Sequence, residues 1–129
     1  MQDLRILVVD DNQKFCNGVE RLLHIRGYTQ VWTAYDGWQA LDIVAREHPD
    51  LVLLDLYMPG MDGMHVLRAI HKIDKNIPIM MLTSEADEEC LQAAVRLGAS
   101  DYLVKPLEFT TLFSSIESHT HGKSRRDAA

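Results

Sequence analysis

The chain has 129 residues, 47% hydrophobic and 25% charged, as expected for one soluble globular domain. Its net charge of −6 disfavours direct nucleic-acid binding, and its two cysteines are too few for a disulfide framework. The N-terminal stretch lacks the cationic head and long apolar run of a signal peptide, and no apolar run approaches the ~20 residues that cross a bilayer. We therefore expect a cytoplasmic protein without membrane contact.

Five short apolar runs alternate with five longer segments of helical periodicity. The strands are predicted at residues 5–9, 30–34, 51–54, 77–82 and 102–104. Apolar stripes at helical spacing follow at residues 15–23, 41–45, 66–70, 91–95 and 109–116. This alternation predicts an α/β three-layer sandwich, with a parallel sheet between two layers of helices. Five such strands favour the flavodoxin-like order 2-1-3-4-5.

Capping residues agree with these helix positions. Side chains suited to N-caps are found at Asn12, Asp36, Asp62 and Ser84. Ser84 is followed three positions later by Asp87, a weak capping-box pattern. Gly27 and Gly98 lie where helices should end in a left-handed residue.

Polar side chains follow four of the predicted strands. Asp10 and Asp11 follow the first strand, and Asp55 follows the third. Thr83 follows the fourth strand, and Lys105 follows the fifth. Because the carboxyl ends of parallel strands meet at one edge of the sheet, we expect these groups to converge in one crevice.

The types of these residues indicate a chemistry. Three neighbouring carboxylates repel one another, and Mg²⁺, which prefers oxygen ligands, relieves that repulsion. One carboxylate could then attack phosphorus, with Lys105 supplying a positive charge and Thr83 a hydroxyl donor. Each residue alone could instead be an ordinary turn, cap or surface residue. Their joint placement at four strand ends favours the functional interpretation.

The sequence at this point resembles the receiver domains of bacterial two-component response regulators, and in particular single-domain chemotaxis-type receivers. The resemblance rests on ILVVDDN at 6–12, LVLLDLYMPGMDG at 51–63, MLTS at 81–84 and GASDYLVKP at 98–106. It implies a receiver domain over residues 1–120. Residues 121–129 would form a polar, flexible tail or the start of a linker, which leaves open whether the chain stands alone or is cut from a larger regulator.

The resemblance also implies roles at the site. Asp55 would be the phosphoacceptor, taking its phosphoryl group from the phosphohistidine of a sensor histidine kinase or a phosphotransfer protein. Asp11, Asp55 and the backbone carbonyl of Tyr57 would bind Mg²⁺ directly, with Asp10 acting at least partly through water. Lys105 would contact the phosphoryl group.

Two further implications concern the backbone around the site and the output. The peptide before Pro106 would be cis, and Pro59 and Gly60 would form the loop beside the site. Thr83 would move toward the phosphoryl group and Tyr102 would rotate inward behind it. The surface of helix 4, strand 5 and helix 5 would thereby change for a downstream protein or a fused output domain.

The chain would be a signalling phosphoacceptor that promotes its own phosphorylation and dephosphorylation, and not an enzyme.

Three alternatives remain open at this point. A phosphatase of the haloacid dehalogenase type also uses an aspartate after its first strand, but within a D-x-D pattern, whereas Asp10 and Asp11 are adjacent. A flavin-binding electron-transfer protein could share the strand order. A degenerate receiver could act as a docking module alone, although all the expected site residues are present.

Overall fold

One parallel five-stranded sheet, in the order β2-β1-β3-β4-β5, forms the centre of the molecule. The structure is a computed structural model, and it describes residues 2–84 and 88–120. The strands are β1 (Gln2–Val9), β2 (Tyr28–Ala34), β3 (Leu51–Asp55), β4 (Ile79–Thr83) and β5 (Asp101–Val104). The helices are α1 (Gln13–Ile25), α2 (Gly37–Glu47), α3 (Gly63–Ile73), α4 (Glu88–Arg96) and α5 (Phe109–Thr120). The predicted fold class and strand order are confirmed.

Helices cover both faces of the sheet, which gives three layers. Consecutive strand residues point to opposite faces, so Leu53 and Leu54 belong to two different hydrophobic clusters. Leu54 packs in the cluster that includes residues of α2, α3 and α4, and Leu53 packs in the cluster that includes residues of α1 and α5. Every residue of β3 and β4 is buried. These two strands therefore form the rigid centre on which the site is built.

Three of the predicted N-caps are confirmed. The side chains of Asn12, Asp36 and Asp62 each accept a hydrogen bond from the backbone N–H three residues later. The fourth proposed cap, Ser84, and its partner Asp87 stay a prediction, because Asp87 lies outside the described residues, as do residues 121–129.

Three helices are followed by a residue with positive φ, and two of these residues were predicted. Gly27 has φ 101° and Gly98 has φ 108°, as expected. The C-cap of α2 is His48, with φ 50°, which was not predicted because non-glycine residues seldom adopt this conformation.

Some predicted boundaries and burial assignments are wrong. Strand β4 begins at Ile79 instead of residue 77, since Pro78 has no N–H to donate to a sheet ladder. Its carbonyl still accepts from the Val52 N–H at 3.0 Å. Val95 and Phe109 were assigned to inward stripes but are 53% and 51% exposed, because α4 and α5 bury narrower faces than the apolar pattern suggests.

The start of α3 lies against the end of β3. The Gly63 N–H donates to the Leu56 carbonyl at 3.0 Å. A Cβ at Gly63 would lie 2.3 Å from the Asp55 carbonyl oxygen and 2.7 Å from the Leu56 Cα, so a side chain here must displace backbone. The absence of a side chain at Gly63 thus allows the helix to hold the end of β3 in place.

We predict opposite effects for alanine at two glycines. Gly63→Ala should lower the free energy of unfolding by about 1–3 kcal/mol, through overpacking against backbone. Gly18→Ala is the matched control: Gly18 lies within α1, and apart from its chain neighbours and its own helix backbone no atom lies within 4 Å of an added Cβ, so alanine should stabilise by about 0.5–1 kcal/mol. Urea unfolding measures both. Equal stabilities for the two variants would contradict the close approach at Gly63.

Candidate functional site

The predicted residues meet at the carboxyl edge of the sheet. Asp10 directly follows β1, Asp55 is the last residue of β3, and Thr83 is the last residue of β4. Lys105 directly follows β5, and its backbone N–H donates to the Thr83 carbonyl at 2.7 Å. The sheet thus brings together groups that are up to 95 residues apart in the chain.

Three carboxylates form the centre of this site. Asp10, Asp11 and Asp55 each offer an oxygen, and these oxygens lie within 4.8 Å of one another. Asp10 is 1% exposed and Asp55 is 6% exposed, whereas Asp11 is open to solvent. The cluster therefore combines two buried acids with one that faces the outside.

Asp10 is held by contacts on both carboxylate oxygens. Its Oδ1 accepts from the backbone N–H of Asn12 at 2.9 Å, and its Oδ2 accepts from the ammonium of Lys105. Its backbone carbonyl accepts from the thiol of Cys16 at 3.3 Å. Burial, followed by the negative charge of Asp10, raises the pKa of the Cys16 thiol to about 12, so this cysteine is an unreactive core residue.

Asp55 has weaker compensation for its charge. Its Oδ1 accepts from the Tyr57 N–H at 3.3 Å and lies 3.9 Å from the Lys105 Nζ. Burial raises the pKa of Asp55 to about 6, and the nearby charge of Asp10 adds to this increase. Lys105 and the Tyr57 N–H lower it, but by less. The ionised form of Asp55 is therefore less stable at this position than it would be in water.

Lys105 enters the site from the end of β5. The peptide between Lys105 and Pro106 is cis. Its side chain is 20% exposed, and the ammonium lies 4.2 Å from the centre of the Phe15 ring. Sequence reasoning missed this aromatic neighbour, although Phe15 lies in the first turn of the helix that follows Asp10 and Asp11.

The two residues implied to form the switch, Thr83 on β4 and Tyr102 on β5, differ in burial. Thr83 is fully buried at the end of β4. Tyr102 on β5 is 44% exposed, and it borders a groove of about 340 Å³ that α4 lines with Leu91 and Val95 among others. In this structure Tyr102 therefore does not lie in the core behind Thr83.

The loop after β3 forms the rim of the crevice. Met58 is buried, Pro59 is exposed, and Gly60 has φ 82°, a conformation that favours glycine. The Tyr57 side chain is 43% exposed. The loop thus places the Tyr57 backbone near Asp55 while its ring remains at the surface.

The donor set fits a hard divalent cation. Clustered carboxylate oxygens are the ligands that Mg²⁺ prefers in proteins. A cation would also offset the burial and repulsion that raise the pKa of Asp55.

In a comparison with known protein families, residues 6–117 of the chain match the response regulator receiver domain. The chain belongs to this family. Membership confirms the resemblance in the sequence and sets aside the haloacid-dehalogenase and flavin-binding alternatives. Receiver domains act in two-component signalling, so this chain is a receiver domain of such a system. Among the described residues the longest helix, α1, has 13 residues, and none is long and apolar enough to span a membrane.

Two relatives show the range of proteins to which this receiver is similar. Sporulation initiation phosphotransferase F of Bacillus subtilis is 36% identical over 124 residues, which cover 96% of this chain and 99% of that protein. The probable transcriptional regulator ycf27 of Porphyridium aerugineum is 43% identical over 118 residues. That match covers 92% of this chain but 48% of the relative.

Solved structures agree with this assignment. The chemotaxis protein CheY4 of Vibrio cholerae is 33% identical, with a TM-score of 0.84 over 90% of this chain and 98% of that one. The receiver domain of NtrX from Brucella abortus is 31% identical, with a TM-score of 0.85 over 92% of this chain and 99% of that one.

We predict that Asp55→Asn stabilises the protein when divalent ions are absent. The amide removes a buried charge that Asp10 repels, so the free energy of unfolding at pH 7 should rise by about 1–3 kcal/mol. Asp42→Asn is the control, because Asp42 is an exposed partner of Arg46 and should change stability by less than about 0.5 kcal/mol. Chemical denaturation in EDTA measures both.

The pH dependence of this effect follows from the raised pKa of Asp55. Below about pH 4 the carboxyl is neutral in both folded and unfolded chains, so wild type and Asp55→Asn should be equally stable. Between about pH 4 and 6 the unfolded chain loses the proton first, and the wild type loses stability relative to the variant. Above about pH 6 the difference should be complete. A constant difference across this range would contradict the burial argument.

Proposed function

We propose that this receiver accepts a phosphoryl group on Asp55 from the phosphohistidine of a sensor histidine kinase or a phosphotransfer protein. The observation that carries the proposal is the Asp55 carboxylate, held at the end of a buried strand beside Asp10, Asp11 and Lys105. An Asp55 oxygen forms a bond to phosphorus while the nitrogen–phosphorus bond of the donor breaks. The electron pair of that bond leaves with the imidazole, which takes up a proton.

Lys105 has the position to stabilise the transferred group. Its ammonium is 3.9 Å from Asp55 Oδ1, so it is near enough to contact an oxygen of a phosphoryl group attached there. Phosphoryl transfer depends mainly on positioning and on neutralising charge, and a compact ammonium provides the second. Thr83 would supply a hydroxyl from the neighbouring strand.

The metal-binding residues in this proposal are Asp11, Asp55 and the backbone carbonyl of Tyr57. Both oxygens of Asp10 already accept hydrogen bonds from Asn12 and Lys105, which favours a role for Asp10 through water. Mg²⁺, when bound, would supply positive charge that makes the clustered carboxylates and the incoming phosphoryl oxygens compatible.

The output in this proposal is a shift between two packing arrangements of the Thr83 and Tyr102 side chains. A phosphoryl group on Asp55 would attract the Thr83 hydroxyl, and the space that it leaves would favour an inward position of Tyr102. The half-exposed Tyr102 beside the α4 groove supports this step, because its side chain is not already packed in the core. The surface formed by α4, β5 and α5 would then bind a downstream protein or a fused output domain differently.

The role is that of a signalling phosphoacceptor. One Asp55 takes one phosphoryl group, and the same site would promote both its attachment and its hydrolysis. The changed surface of α4, β5 and α5 would carry the signal, whereas an enzyme would act by releasing a product.

Incubation with acetyl phosphate tests the proposal without a kinase. We expect intact-mass spectrometry to show one phosphoryl adduct that forms with Mg²⁺ and is absent in EDTA. Asp55→Asn should form no adduct, whereas the surface variant Asp42→Asn should behave as wild type. An adduct that persists in Asp55→Asn would refute the assignment of the acceptor. The absence of any adduct, for this donor or a purified phosphohistidine donor, would favour a docking module.

A further inference from the structure

Three cations lie over aromatic rings in the part of the chain that the structure describes. Arg5 lies over Trp32, Arg26 over Phe113 and Lys105 over Phe15. The first two cations pair with Glu47 and Glu117. Lys105 differs because the same ammonium also contacts two carboxylates of the site, those of Asp10 and Asp55.

The position of the Phe15 ring is built into the first turn of α1. The Asn12 side chain caps the helix by accepting from the Phe15 N–H at 3.1 Å. The Asn12 N–H in turn donates to Asp10 at 2.9 Å. Asp10, the cap and the ring therefore form one connected unit, and Lys105 closes it by donating to Asp10 across the crevice.

We propose that Phe15 is a positioning residue for phosphoryl transfer, whose ring holds the Lys105 ammonium between Asp10 and Asp55. The inference rests on the proposed role of Asp55 as phosphoacceptor, and it goes further by assigning a function to an apolar side chain. Phe15 touches neither the acceptor oxygen nor a metal ligand's carboxylate in this proposal, and it acts through Lys105.

The physical reason lies in the properties of a lysine side chain. Its ammonium is a strongly hydrated charge on a flexible stem, so a lysine at a crevice mouth samples positions in solvent. The ring face attracts the cation and excludes water from one side of it. With Asp10 on another side, the remaining freedom of the ammonium is directed toward Asp55, where a phosphoryl oxygen would arrive.

Leucine and tyrosine at position 15 separate this role from packing. Phe15→Leu keeps an apolar group but removes the ring, so phosphorylation by acetyl phosphate should slow about three- to tenfold. Phe15→Tyr keeps the ring face and should stay within about twofold of wild type. Ile25→Ala removes an exposed apolar side chain from the C-terminal end of α1 and serves as the control with an unchanged rate.

Phe15→Leu in a Lys105→Ala background tests whether Phe15 acts through Lys105. If it does, Phe15→Leu should have no further effect on the rate once the ammonium is gone. An equal loss in both backgrounds would overturn the proposal, since Phe15 would then act on the donor or on the packing of α1.

A spectroscopic readout does not depend on phosphorylation. The ε-methylene protons of Lys105 should be shifted upfield by the ring in wild type and Phe15→Tyr, and this shift should disappear in Phe15→Leu. An unshifted signal in folded wild type would overturn the proposal. If the shift is present but no variant, wild type included, is phosphorylated, the proposed function fails while the contact stands. If wild type is phosphorylated and Phe15→Leu matches it, the positioning role alone fails.

Discussion

The charge of Asp55 is the constraint on which the site depends. A carboxylate that is 6% exposed, next to the more deeply buried Asp10, is unfavourable when ionised, and the pKa of Asp55 is raised to about 6 as a result. The single ammonium of Lys105 bonds to Asp10 and remains 3.9 Å from Asp55, so it compensates one acid better than the other. This unequal compensation leaves Asp55 as the acid that gains most from a bound cation or from modification.

The fold maintains this unfavourable arrangement because its stability comes from elsewhere. β3 is buried along its whole length, and the start of α3 packs against the strand end at a distance that requires glycine at position 63. The Asn12 cap holds α1 to Asp10, and the backbone of Lys105 is bound to the end of β4. Hydrophobic clusters on both faces of the sheet offset the free-energy cost of burying like charges close together at one edge.

The fold and the strand-end residues could be predicted because hydrophobic period and strand order constrain them directly. Asp10, Asp55 and Lys105 were predictable as neighbours because parallel strands bring their carboxyl ends to one edge. The pairing of Lys105 with Asp10 instead of Asp55 was not, since it depends on side-chain geometry at the ångström level. The Phe15 ring was missed for the same reason: helical period marks it as apolar but does not show which cation it meets. Val95 and Phe109 were misassigned because the period does not show how wide a face each helix buries.

In the proposed function, Asp55 itself carries the phosphoryl group. Borohydride reduces an aspartyl phosphate to homoserine, which marks the modified residue permanently. The most direct test is to treat the phosphorylated protein with borohydride and sequence its peptides by mass spectrometry. We expect homoserine at position 55 and at neither Asp10 nor Asp11. Homoserine at another aspartate, or a phosphoryl group that resists reduction and lies on a histidine, would contradict it.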